Sequence, residues 1–304
     1  MSTQSDIREF LASRRAKITP RQAALPAYGG NRRVPGLRRE EVALLAGVSI
    51  DYYVRLERGH LAGASDEVLD AVANALQLDD AERAHLYDLA RAAAKRPARR
   101  GRRPRGPLPD SVLRVLYSMT DSPAFIRNGR LDVLATNRLG RALYSPLYGD
   151  KYGTEYGTEC DDRYTGKGRH TVNIARFQFL DPAGRDYFPH WEESVNTTVS
   201  LLRTEAGRAP GDSELTGLIG ELVTRSDEFR TAWAKHNVRL HHTGRKAFRH
   251  PAVGAITLDF DAMELPAQPG LTLTAYSAPP HTPDHDKLQL LAAWSATEET
   301  PARR

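Results

Sequence analysis

The sequence predicts an α+β protein: an all-α unit of five helices at the N-terminus, then a domain in which helices pack on an antiparallel sheet. Three observations predict it. Apolar residues recur at helical spacing from Ile7 to Ala90. After Asn237 the apolar period falls to two: Ile256, Leu258 and Phe260 alternate with Thr257 and Asp259, and Leu271, Leu273 and Ala275 with Thr272 and Thr274, as half-buried antiparallel strands require. Between these halves lies RAAAKRPARRGRRPR, Arg91 to Arg105, where eight of fifteen residues are basic and Pro97, Gly101 and Pro104 break regular structure. The expected division of the 304 residues is a helical domain over 1–92, a flexible basic linker over 93–106 and a mixed domain over 107–298.

The helical elements follow in order. Asp6 to Lys17 places Ile7, Phe10, Leu11 and Arg14 on one face of an amphipathic helix. Thr19-Pro20-Arg21-Gln22 has the spacing of a capping box, with Pro20 at the first helical position. Pro26, Gly29, Gly30 and Pro35 forbid a continuous helix between Leu25 and Gly36. The stretch that organises the domain is Leu37 to Gly59, LRREEVALLAGVSIDYYVRLERG: Val42, Leu45 and Ala46 stack on a first short helix, Tyr53 and Leu56 on a second. Ala46-Gly47-Val48-Ser49 between them supplies a glycine able to take positive φ, an apolar plug and a capping hydroxyl, the corner of a helix-turn-helix. Ser65 then caps a helix with Val68, Leu69, Val72 and Leu76 inward, and Asp79 to Glu82 opens another with Leu86, Leu89 and Ala90 inward.

With Tyr53 and Leu56 turned inward, Ser49, Ile50, Asp51, Tyr52 and Arg55 face outward near the start of the second helix. A recognition helix enters the major groove by that end, so hydroxyl, carboxylate and guanidinium groups there meet base edges. Arg38 and Arg39 at the start of the first helix and Arg58 past the second are placed for phosphate. Arg32 and Arg33 make the preceding loop a basic arm for a phosphate backbone or a minor groove, or equally a solvated loop. Charge distribution agrees. Residues 1–106 hold 20 Lys and Arg against 13 Asp and Glu, a net of +7, while the other 198 carry 23 against 25, a net of −2. One cysteine, Cys160, leaves no internal disulfide and suits a reducing cytoplasm. With no run of about twenty apolar residues and a polar N-terminus, neither membrane spanning nor secretion is expected.

The corner resembles the XRE (Cro/C1-type) helix-turn-helix family. The family pattern of paired acidic residues, Ala, Ala-Gly-Val-Ser and a Glu-Arg-Gly ending appears as Glu40-Glu41, Ala43, Ala46-Gly47-Val48-Ser49 and Glu57-Arg58-Gly59. Arg39 stands where members commonly carry Gln, a change that preserves donation to phosphate.

Past Pro107, Val112, Leu113, Leu116 and Tyr117 make one helix, and Asn128-Gly129 between apolar runs predicts a hairpin with a type I′ turn. Asn137 caps a short helix ending near Tyr144. The Gly/Tyr-rich stretch Ser145 to His170, with its echo Gly153-Thr154-Glu155-Tyr156-Gly157-Thr158-Glu159, reads as a long loop. Asn173 to His236 is mainly helical, and Leu288 to Trp294 closes the chain with a helix. An early hairpin, inserted helices and late strands fold as an α+β sandwich around one apolar pocket.

Ser111 to Leu147, Asn173-Ile174-Ala175-Arg176-Phe177 with Phe179-Leu180-Asp181-Pro182, Trp233-Ala234-Lys235-His236 and Gly244 to Gly254 resemble the C-terminal domain of MmyB-like transcriptional regulators. The resemblance implies a PAS-like domain after an XRE-type helix-turn-helix, sensing a fatty-acid-like or other apolar small molecule. The departures are the long loop and Pro279-Pro280-His281. Tyr117, Phe125, Tyr144, Phe177, Trp191, Trp233 and His236 are the candidate ligand contacts, because large aromatics with few polar groups line apolar cavities; plain core packing is the alternative for each.

His236, His241, His242 and His250 fall within fifteen residues, but Cys160 is remote and adjacent His241 and His242 point to opposite faces of a strand, so no metal site is expected. No Gly-x-Ser-x-Gly, Walker or His-Glu-x-x-His motif occurs. Neither a cofactor nor catalysis is expected. The leading reading is a cytoplasmic regulator that binds a palindromic double-stranded operator as a homodimer and senses a small molecule through its C-terminal domain. A protein-docking helix-turn-helix, antitoxin-like or anchoring, is the second, and a ligand-modifying enzyme with a regulatory arm the third.

Overall fold

Side-chain caps mark where the helices of the computed structural model begin, and the structure describes residues 3–25, 34, 36–94, 107–148, 172–235 and 242–298. In the N-terminal region these are α1 (Thr3–Lys17), α2 (Arg39–Leu45), α3 (Ile50–Glu57), α4 (Asp66–Ala75) and α5 (Asp80–Ala93). Ser49 Oγ accepts from Tyr52 N at 3.2 Å to start α3, Ser65 caps α4, and Asp79 Oδ1 accepts from Glu82 N at 2.8 Å to start α5. Arg38 has no acceptor to cap α2, so Glu41 works alone, its carboxylate accepting from Arg38 N at 2.6 Å. The Thr19 and Gln22 side chains exchange hydrogen bonds with each other and with each other's backbone, as a capping box should. The chain nevertheless makes a turn there, with Ala24 at φ 54°, instead of a helix.

The chain forms two compact units. One holds residues 1–99 with 199–216 and 231–240; the other holds 100–198, 217–230 and 241–304. The first is cored by Ile7, Phe10, Leu11, Val42, Ala43, Ala46, Tyr53, Leu56, Leu69, Val72, Leu76, Leu86 and Leu89. Leu45, expected inside, is 38 % exposed, and Ala43 takes the inward position; a seven-residue helix is too short for its apolar period to choose between the two. Arg14 is buried at the end of α1, with Glu82 at 2.6 Å and the Phe10 ring beneath its guanidinium. In the same unit, Arg203 lies buried with its guanidinium 4.0 Å above the Trp233 ring and donates to the Trp233 carbonyl. Burial pulls Arg203 down to about 10 against the holding effect of Asp6 and Glu9 on α1, which leaves it a cation at pH 7.

The second unit is built on a five-stranded antiparallel sheet of β1 (Ala124–Asn128), β2 (Val133–Thr136), β3 (Thr243–His250), β4 (Gly254–Glu264) and β5 (Leu271–Ser277), in the order β2-β1-β5-β4-β3. Its helices are α6 (Asp110–Ser118), α7 (Arg138–Leu143), a 3₁₀ turn at Ser145–Tyr148, α8 (Ile174–Leu180), α9 (Pro182–Tyr187) and α13 (Pro283–Glu298). Helices α10 (Trp191–Arg208), α11 (Ser213–Arg225) and α12 (Asp227–Ala234) divide between the two units. The β1–β2 hairpin is present, but positive φ falls on Leu131 (67°) and a bulge follows Ile126. Asn128 Oδ1 accepts from Arg130 N and Asp132 N at 2.9 and 3.0 Å. This side-chain turn replaces the expected type I′ geometry. Strand β5 is central, so both its faces are covered: Leu271 and Leu273 on one, Thr274 and Tyr276 on the other. Thr274 is interior, not solvent-facing as the alternation suggested, and Thr272 is half-buried.

Asn137 ties the sheet to α7. Its buried amide accepts from Ala124 N at 3.0 Å and Gly140 N at 2.7 Å, and donates to the Met119 and Ser122 carbonyls at 2.6 and 2.7 Å. Asn137→Ala strips four backbone groups of their partner, so we expect a loss of about 3 kcal/mol, read by urea denaturation; a change under about 1 kcal/mol would mean that water replaces the amide.

Candidate nucleic-acid interface and ligand site

The corner after α2 closes because Gly47 takes φ +64° with open space around it, while Val48 N reaches back to the Ala43 carbonyl at 3.0 Å. It presents Ser49, Ile50, Asp51 and Arg55 as exposed residues along α3, Tyr52 half-buried beside them, and Tyr53 and Leu56 in the core. The Arg55 guanidinium lies 5.8 Å from the Tyr52 ring centroid, a contact that orders it without removing it from solvent. Arg38 and Arg58 are exposed.

What holds α3 in place is Glu57, a carboxylate only 2 % exposed at the helix end. Arg15 grips it with two bonds of 3.0 Å and sends a third to the Leu37 carbonyl at 2.8 Å; Arg39 adds bonds of 3.1 and 3.2 Å. One arginine fork therefore joins α1, the approach to α2 and the end of α3. Burial works to raise the Glu57 carboxyl, but the hydrogen bonds from Arg15 and Arg39 outweigh it and hold it below the usual carboxylate value. The next turn is as tight: Gly59, at φ +98°, sits so that a Cβ would fall 2.7 Å from the Gln4 carbonyl of α1. Glu57 and Gly59 of the Glu-Arg-Gly ending are thus structural, and Arg58 between them points out.

In the second unit, α6 covers one sheet face, where Leu116 meets Ala124, Ile126, Leu271 and Leu273. The register puts Phe125, Arg127, Lys246, Phe248, Thr274 and Tyr276 on the other. There Phe125, Tyr144, Phe248 and Tyr276 stack edge-on or tilted with centroids 5.4 to 6.2 Å apart, and Phe177, Tyr187 and Phe188 continue the cluster. The Tyr144 and Tyr276 hydroxyls share a 2.6 Å hydrogen bond, and the Tyr187 hydroxyl donates to the Leu143 carbonyl. Burial raises all three phenols, Tyr276 to about 12. Into this apolar wall projects Lys246, whose Nζ donates to Tyr144 Oη at 3.3 Å and lies 4.6 Å from the Phe188 centroid. Desolvation first, and then the nearby Arg127 charge, push Lys246 down to about 7.

The family described as MmyB-like transcription regulator ligand binding domain matches residues 108–291, and a helix-turn-helix domain family matches residues 8–86. The first match spans more than half of the chain. The chain belongs to the MmyB-like transcription regulator ligand binding domain family. No curated protein matches it. The two matches make this MmyB-like chain a ligand-responsive transcription regulator, and the α+β class and both expected families stand.

Within the MmyB-like domain the structure brings together three of the seven expected aromatic residues, Phe125, Tyr144 and Phe177. Three of the others, Tyr117, Trp191 and Trp233, sit away from that cluster. Tyr117 is 47 % exposed on α6, the helix of the opposite face, because Leu116 takes the inward position beside it. Trp191 packs on Phe179 and under Arg185 at the start of α10, and Trp233 is buried against Arg203 in the unit of the N-terminal helices. Arg32, Arg33 and His236 lie outside the described residues, as do Cys160, His241 and all of the loop 148–170 except Tyr148. His250 is buried, its Nε2 donating to the Ala142 carbonyl at 2.9 Å and its Nδ1 accepting from Ala252 N at 3.1 Å. Among the described residues no three His, Cys, Asp or Glu side chains converge, and no helix is long and apolar enough to cross a membrane. Lys246 was not singled out from the sequence, although a signal existed: Gly244, Lys246 and Phe248 share one face by strand alternation, which sets a cation among apolar neighbours.

Proposed function

We propose that this chain binds a specific operator as a two-fold dimer, with α3 of each copy in a major groove and half-sites about one helical turn apart. The observation that carries the reading is the set Ser49, Ile50, Asp51 and Arg55, all solvent-facing on the first two turns of a helix whose other side is locked into the core. Ser49, Ile50, Asp51, Tyr52 and Arg55 then face base edges, and Arg38, Arg39 and Arg58, with the arm Arg32-Arg33, face phosphate. The C-terminal domain, PAS-like in its inserted helices and five-stranded sheet, takes a small, largely apolar, fatty-acid-like molecule against the face of Phe125, Tyr144 and Phe177. That ligand shifts DNA affinity by preferring one arrangement of the paired DNA-binding helices. No chemical turnover is part of the function, and the site of action is the cytoplasm.

Paired substitutions test it. Arg55→Ala is expected to weaken the preferred operator about 10- to 100-fold and to relax selection at one base position. Arg58→Ala is expected to weaken all sequences alike and reduce the salt slope by about one. Arg39→Ala is a poorer phosphate probe, since it also unties Glu57. Footprinting that finds no protected site, or equal losses for both variants on every sequence, would sink the reading. The protein-docking alternative has one observation in its favour: Leu44 is 72 % exposed and Leu45 38 % at the end of α2. Partner capture that survives Arg55→Ala and fails in Leu44→Glu, without salt-dependent DNA binding, would favour it.

A further inference from the structure

The lysine on the aromatic face has chemistry that packing does not require. Its Nζ lies 4.6, 5.5 and 5.7 Å from the ring centroids of Phe188, Phe248 and Tyr144. Among the described residues no carboxylate pairs with it, and the residue as a whole is half-buried at the edge of the aromatic cluster. Its hydrogen bond goes to a hydroxyl that continues into a second one, Lys246 to Tyr144 to Tyr276, over 3.3 and 2.6 Å. Arg127, on the same face one strand pairing from Thr272, adds positive charge nearby.

From the aromatic cage and the paired hydroxyls around an amine that meets no carboxylate among the described residues, we propose that Lys246 captures the carbonyl group of an apolar aldehyde or ketone as an imine. The proposal rests on the reading of this face as the ligand site and goes beyond it by naming the functional group that is read. Desolvation leaves a substantial share of the amine neutral near pH 7, when an ordinary lysine is almost wholly an ammonium, so a lone pair is available to react. That pair adds to the carbonyl carbon, and the carbonyl oxygen takes a proton from the Tyr144 hydroxyl, which recovers one from the nitrogen, giving a carbinolamine. A second transfer through Tyr144 and Tyr276 sends the new hydroxyl off as water while nitrogen gives up its remaining proton. One water leaves, both tyrosines end as they began, and no oxidant or reductant is needed. The surrounding rings keep bulk water from reversing the loss.

The test uses the full chain with decanal and sodium cyanoborohydride at pH 7, followed by intact mass and peptide mapping. We expect one decyl group, on the peptide bearing Lys246 in preference to the other six lysines of the chain. The labelling rate should climb through about pH 7 instead of about pH 10. Lys246→Met should abolish selective labelling, and Tyr144→Phe should slow it about tenfold or more, each variant retaining the wild-type circular dichroism. Label spread over surface lysines, or an unmodified Lys246 peptide, overturns the proposal. Decanol and decanoate separate the two readings. If either raises the melting temperature while decanal leaves Lys246 untouched, the ligand face stands and carbonyl capture falls; if neither does and no label appears, both fall.

Discussion

Glu57→Ala is expected to lower stability by about 3–5 kcal/mol, the usual consequence of removing one member of a buried ion pair. The carboxylate is 2 % exposed and accepts from two arginines, of which Arg15 is itself 17 % exposed. Without it the Arg15 fork keeps only its bond to the Leu37 carbonyl, and the end of α3 loses its link to α1. DNA affinity should fall with the fold, since the recognition face is rigid only while α3 is held. A double variant, Arg15→Met with Glu57→Leu, should recover much of the loss, because apolar replacement of a whole buried pair is often neutral or better. The pH dependence has a definite sign. The folded-state pKa of Glu57 lies below that of the unfolded chain, so its contribution is complete above about pH 4.5 and disappears as acid protonates the folded carboxylate. Urea midpoints of wild type and Glu57→Ala should therefore be far apart at pH 7 and approach one another as pH falls below about 4. Equal midpoints at pH 7 would show that the clamp contributes nothing.

The second large effect has the opposite sign. Lys246→Met should stabilise the protein at pH 6 by about 3–5 kcal/mol, following from about 1.4 kcal/mol for each pH unit of displacement. The folded protein releases this proton near pH 7, whereas an unfolded lysine holds it to about 10.5. Below pH 7 both states are protonated and the folded state bears the whole penalty of a desolvated ammonium. Between pH 7 and 10.5 the unfolded state binds more protons, so wild-type stability climbs with pH; above 10.5 both states are neutral and the penalty is gone. The advantage of Lys246→Met should thus shrink steadily from pH 7 to pH 10, as read in urea midpoints of the pair. A constant difference would mean that Lys246 is well solvated.

Helical caps and the recognition corner were legible in the sequence because their causes are local. Ser49, Ser65, Asp79 and Asn137 each bond within three residues, and Gly47 answers to a backbone requirement at its own position. The outward set from Ser49 to Arg55 followed from Tyr53 and Leu56 alone, since one helical face determines the other. Local rules failed where neighbours in space decide. Asn128-Gly129 has the composition of a type I′ turn, but the Asn128 side chain and the bulge after Ile126 set another geometry. Leu45 and Ala43 compete for one inward position, and the core of the first unit accepts the smaller.

The seven aromatic candidates show the same limit. Hydrophobicity favours burial of Phe125, Tyr144, Phe177, Trp191 and Trp233, and says nothing about the place each occupies; Trp191 ends half-buried. Strand order decides that Phe125, Phe248 and Tyr276 meet, and helix packing sends Trp233 to the Arg203 side chain.

By itself, the sequence determined the helix-turn-helix, the face it turns to solvent, the α+β class and the basic character of the N-terminal half, all carried by spacing within one or two turns of chain. Only the tertiary structure decided that Glu57 is a buried clamp for two arginines and that Lys246 stands among aromatic rings beside a pair of hydroxyls. The reason is physical: the charge state and freedom of an ionisable group depend on dielectric and on partners far away in the chain, and those exist only once the chain has folded.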